Sequence, residues 1–107
     1  WFRGAHSDIG GQLGGWEAAR PLANIPLVWM CERAERFGLT LPEGWRAGLA
    51  TDAAAPAYGT LRAWGLAFLL RTRRRVGVDR SEAIHPTARP PADVIARMRA
   101  GARVSGK

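Results

Sequence analysis

Two histidines, three serines and nine carboxylates carry most of the chemistry that these 107 residues could perform. One histidine has a distinctive setting. His6 follows Trp1-Phe2-Arg3-Gly4-Ala5 and precedes Ser7-Asp8-Ile9-Gly10-Gly11. Two aromatic residues leading through a glycine to an imidazole, with a Gly-Gly pair just beyond, predict the end of a buried strand that hands the histidine to a tight loop. Histidine titrates near neutral pH, so a ring presented this way suits a general base.

The partners such a base needs are missing nearby. The serines are Ser7, Ser81 and Ser105, and none lies in a Gly-x-Ser-x-Gly turn. Ser7 adjoins His6 and is badly placed to be its nucleophile. Asp8, two residues on, can shape the loop through its side chain, whereas a triad acid normally arrives from a different loop. Gly10 and Gly11 supply the freedom for a sharp turn. The second histidine, His85, precedes Pro86, which holds it in extended backbone. A structural role or a second site are its two readings. No other ligand stands at metal spacing from it, so neither a metal nor a cofactor is expected. The lone cysteine, Cys31, falls within an apolar helical pattern and reads as a small buried hydrophobe; one cysteine rules out an internal disulfide framework.

Around these residues the chain alternates loops and helices. Residues 10–21 hold four glycines and read as a loop. A helix is predicted from Asn24 as N-cap, with Pro26 in its first turn and Gly38 as its stop. Leu27, Met30, Cys31, Ala34 and Phe37 recur at steps of three and four and predict its buried stripe, opposite Glu32, Arg33, Glu35 and Arg36. Residues 40–57 read as loop, 59–74 as a second helix, 76–89 as extended or looped, and Pro90-Pro91 as the opening of a short third helix. Residues 101–107 read as a frayed tail. A single strand among helices cannot satisfy its own edges, and the chain opens inside that strand without a methionine. It therefore reads as part of a longer domain.

Composition narrows the class. With 47% hydrophobic residues and five tryptophans, the chain is far from a disordered tail. Its net charge of +7 comes from fifteen arginines against one lysine, a bias that GC-rich coding also produces. The longest apolar run, residues 64–70, falls far short of the ~20 residues that span a bilayer. It runs into Arg71-Thr72-Arg73-Arg74-Arg75. Apolar residues ending in Arg71, Arg73, Arg74 and Arg75 could contact an anionic membrane surface, or simply be the solvated end of a buried helix. Nucleic acid is the weaker partner class, because no helix-turn-helix, finger or aromatic platform is legible.

The opening segment resembles the α/β-hydrolase domain family that includes the phospholipase effectors of the type VI secretion system. That family carries Trp-Phe-x-Gly-x-His-Ser-Asp-Val-Gly-Gly, matched here by residues 1–11 with Ile9 for Val. Its helix-opening pattern is similar to Leu22, Asn24, Ile25, Leu27, Trp29 and Met30, and its His-Pro-Ser/Thr element to His85-Pro86-Thr87. Gln12 replaces the usual third glycine. The resemblance implies an α/β fold in which this chain is the C-terminal part: the last core strand plus about three helices, mostly α within residues 1–107. It implies a bacterial serine hydrolase acting on esters or phospholipids, with His6 as the triad histidine and the serine, acid and oxyanion hole lying upstream. Localisation stays open between the cytoplasm and a secreted effector. Two other readings compete: a small basic helical module that binds anionic surfaces, and a hydrolase remnant without chemistry.

Overall fold

The computed structural model describes residues 1–60, 62 and 75–88. The fold is small and mostly helical, and no strand occurs among the described residues. Helix α1 spans His6–Gly10 and helix α2 spans Arg20–Arg36. Single 3-10 turns occupy Glu17–Ala19 and Trp45–Gly48. The chain divides into two units, residues 3–69 and residues 1–2 with 70–107.

The strand predicted ahead of His6 does not form. Gly4 turns the backbone with φ 121°, and His6 becomes the first residue of α1. In the second unit Trp1 comes closest to strand pairing. Its nitrogen donates to the Ala83 carbonyl, and the His85 N–H donates to the Trp1 carbonyl at 2.9 Å. That is the two-bond pattern of one parallel bridge, and no assigned strand continues it.

Helix α2 starts four residues before the predicted cap. The 3-10 turn feeds into it, and Pro21 occupies its first turn, where a missing N–H costs nothing. Pro26 lies inside the helix, and Asn24, in place of capping, is buried and donates through Nδ2 to the Ala50 carbonyl at 2.8 Å. The helix ends where the glycine predicts. Gly38 takes φ 92°, its N–H bonds the Glu35 carbonyl at 2.9 Å, and the Leu39 N–H bonds Ala34 at 3.0 Å. This is the Schellman arrangement.

Burial in α2 follows position along the axis. Residues from Leu22 to Pro26 are buried all round, together with Val28. The predicted stripe is largely exposed instead: Leu27 is 44%, Met30 62% and Phe37 90% accessible, while Cys31 and Ala34 are half-buried. The reason is that the core forms around the helix start. Leu13, Ala19 and Ala23 make its centre, with Trp16 and Tyr58 packed against it. The loop 52–55 joins there too, the Asp52 N–H donating to the Pro21 carbonyl at 3.1 Å. The predicted loop at 40–57 holds apart from the short turn at Trp45–Gly48. Gly59, Thr60 and Arg62 are not helical. The rest of the predicted 59–74 helix, the helix from residue 90 and the tail 101–107 lie outside the described residues.

In the second unit Glu82 organises the turn at 77–82. Its carboxylate accepts from the Gly77 N–H at 2.6 Å, the Trp1 indole Nε1 at 2.7 Å and the Asp79 N–H at 3.3 Å. These bonds, the one from Gly77 foremost, hold its carboxyl below the ordinary glutamate range.

Gly38 has open space where a Cβ would go, so Gly38→Ala tests conformation alone and should cost about 1 kcal/mol in urea unfolding. Gly10→Ala, also unobstructed and at an ordinary φ, should be neutral or stabilise by up to about 1 kcal/mol. For Glu82 the folded pKa is depressed, so its contribution is present above the ordinary glutamate value and lost as pH falls through and below it. The Trp1 indole N–H resonance should shift in that acidic window, and Glu82→Gln should abolish the pH dependence.

Candidate functional site

The short helix that carries His6 is fixed by one carboxylate. Asp8, fully buried, is the third residue of α1. Its Oδ2 accepts from the Ala5 N–H at 2.7 Å and the Gly59 N–H at 3.2 Å, and its Oδ1 accepts from the Tyr58 N–H at 2.5 Å. The bond to Ala5 is half of a capping box; Ala5 has no side-chain oxygen to return the other half. The bonds to Tyr58 and Gly59 tie α1 to a segment fifty residues away in sequence.

Glycines allow the close fit. A Cβ on Gly4 would sit 2.5 Å from the Cβ of Asp8, at a φ that disfavours any side chain. Gly11 caps α1 at φ 72°, and its carbonyl accepts from Arg20 Nη1 at 2.8 Å. Arg20 also grips Glu17 in a two-pronged pair at 2.7 and 2.8 Å. Hydrogen bonding to Arg20 lowers the Glu17 carboxyl, and the same bond raises Arg20. Next to the site motif, Arg3 Nη1 donates to the carbonyls of Ala53 at 2.9 Å and Ala55 at 2.8 Å.

His6 itself is exposed, and no described residue hydrogen-bonds its ring. Ser7 beside it is half-buried. Thus His6, Asp8, Gly10 and Gly11 share one helical turn and its cap, with Asp8 turned inward and His6 outward. Asp8 spends both oxygens on main-chain donors, which leaves it unsuited to orient an imidazole as a triad acid does.

His85 lies in the other unit. Its ring stacks on Phe2 with centroids 4.7 Å apart, and its Nδ1 lies 2.8 Å from Thr87 Oγ1. The Thr87 N–H also donates to Nδ1, at 3.4 Å. His85 is thus held by a ring stack and by Thr87, two residues on. The Ser81 N–H and hydroxyl each donate to Asp79 at 2.7 Å, and these bonds, the main-chain one foremost, lower the Asp79 carboxyl. Arg75 is exposed; Arg71, Arg73 and Arg74 lie outside the described residues. Among the described residues no three His, Cys, Asp or Glu side chains gather as metal ligands would.

Sequence reasoning missed Arg3, Arg20 and the backbone of Tyr58 and Gly59. Nothing local to Arg3 signals that it reaches residues 53–55. Comparison with protein-family models, with curated proteins and with solved structures gives no match.

Removing the central carboxylate has a large expected effect. Asp8→Ala leaves three N–H groups without their acceptor, and at about 1 kcal/mol or more apiece the loss should approach about 3 kcal/mol in urea unfolding. Asp8→Asn places an amide donor against these donors and should recover only part. Wild-type stability in Asp8→Ala would refute the clamp.

Proposed function

We propose that this chain is the C-terminal portion of an α/β-hydrolase domain and that His6 is the general base of a serine ester hydrolase. The observation that carries the reading is an accessible imidazole on a turn held rigid by a buried carboxylate, within a segment that resembles the family motif. A base must meet a reacting hydroxyl at hydrogen-bond distance, so it needs a ring free to engage and a backbone that does not wander.

In this reading one ring nitrogen of His6 accepts the proton of a serine hydroxyl as the oxygen attacks an ester carbonyl. The imidazolium then returns that proton to the departing alkoxide, leaving an acyl-enzyme. Water, deprotonated by the same ring, then attacks the acyl carbonyl, and the imidazolium gives that proton to the serine oxygen as the acid departs. The nucleophile, the triad acid and the oxyanion hole belong to other parts of the enzyme; Ser7 and Ser81 do not fill these roles. Asp8 and Gly11 hold the turn, and substrates are carboxylic esters, phospholipids among them.

The test compares the 107-residue chain with the product of the whole reading frame that encodes it, on short-chain esters and phospholipids. The short chain should be silent and the longer protein active, with His6→Ala lowering kcat/KM at least about a hundredfold. Hydrolysis by the short chain, or full activity of His6→Ala, would overturn the assignment.

A further inference from the structure

The exposed ring of His6 is aimed by the backbone that carries it, and that backbone is tied at several points. Asp8 fixes α1 from within, through the N–H groups of Ala5, Tyr58 and Gly59. Arg20 holds the Gly11 carbonyl behind it. In front stands Gly4, at φ 121°, between Arg3 and the helix, and glycine resists backbone rotation less than any other residue. A side chain cannot stiffen that joint, because a Cβ on Gly4 would meet the Cβ of Asp8 at 2.5 Å. Stiffness must come from the residue ahead of it. Arg3 is half-buried, and its Nη1 donates to two carbonyls, Ala53 at 2.9 Å and Ala55 at 2.8 Å. The loop that offers them is itself anchored on α2. The Asp52 N–H donates to the Pro21 carbonyl at 3.1 Å, and the Asn24 amide donates to the Ala50 carbonyl at 2.8 Å.

We propose that Arg3 is a positioning residue for the general base: its guanidinium braces the chain ahead of Gly4 against the 53–55 loop and so holds the His6 ring in reacting position. The proposal rests on the reading of His6 as that base. Arg3 acts through the backbone and touches no substrate. Proton transfer needs heavy atoms about 2.6–3.2 Å apart, and a shift of about 1 Å can cost about a hundredfold in rate. With Arg3 gone the Asp8 ties remain, so the expected penalty is a fraction of that. The chemistry of the brace is also specific. The two hydrogens of Nη1 match the two carbonyls; an ammonium on a shorter stem can serve them less well, and a thioether serves neither.

The experiment measures ester hydrolysis by the product of the whole reading frame, at a temperature where circular dichroism shows each variant folded. Arg3→Met keeps the apolar stem and removes the donors. It should lower kcat about tenfold and leave KM within about twofold. Arg3→Lys should recover part of the loss, to about threefold below wild type. An arginine that only stabilised the fold would change Tm and leave kcat alone. Should Arg3→Met fail to fold, Arg3→Lys decides by its own kcat at constant KM. Wild-type kcat in the folded variants overturns the proposal. So does a raised KM at constant kcat, which would make Arg3 a substrate contact. His6→Ala is assayed alongside. If it is fully active, or if the wild-type product is silent on every ester, the general-base reading falls and this proposal with it. If His6→Ala is inactive while the Arg3 variants match wild type, the positioning role alone falls.

Discussion

A buried carboxylate that accepts three main-chain N–H groups is the constraint on which the larger unit depends. A charge removed from water is costly unless it is fully hydrogen-bonded, and Asp8 meets that demand entirely with backbone. The arrangement makes the fold cooperative at small size. The helix that bears His6, the turn at Gly4 and the segment at Tyr58-Gly59 cannot separate without stranding the same group. The apolar centre around Leu13, Ala19 and Ala23 is small, so polar ties of this kind set much of the geometry.

The second organising theme is the use of arginine as a reach across the backbone. Arg3 and Arg20 both direct guanidinium nitrogens at carbonyls, those of Ala53 and Ala55 in one case and Gly11 in the other. A planar donor fork suits this role better than an ammonium. Part of the arginine excess therefore serves the interior connections of the chain. Another part, at Arg46, pairs with Glu32 of α2.

How much was legible in the sequence depends on the range of the interaction. The central helix, its end at Gly38 and the loop at 40–57 are local matters of glycine, proline and periodicity, and they read correctly. The start of α2 did not, because Asn24 has two uses for its amide, and the distant Ala50 carbonyl takes it. The apolar stripe was misassigned for a related reason. Periodicity reports which residues share a line, and it says nothing about how far along the axis a core extends. The strand expected before His6 rested on aromatic and glycine residues whose preferences yield to the Gly4 turn and the Asp8 tie. The cluster His6, Asp8, Gly10 and Gly11 was visible as a motif, whereas its partners in residues 53–59 were beyond any local signal.

Arg3 and Asp8 both grasp the 53–59 segment through amide and carbonyl groups. Side-chain identity there is therefore largely released from the task of holding the path. Ala55 must stay small enough for its buried place, and Tyr58 keeps its ring tilted beside Trp16. Ala54, exposed, has no such obligation, so the stretch is permissive there. Its surface chemistry can diversify over evolutionary time, or be rewritten by design, while its trajectory beside the histidine-bearing turn persists.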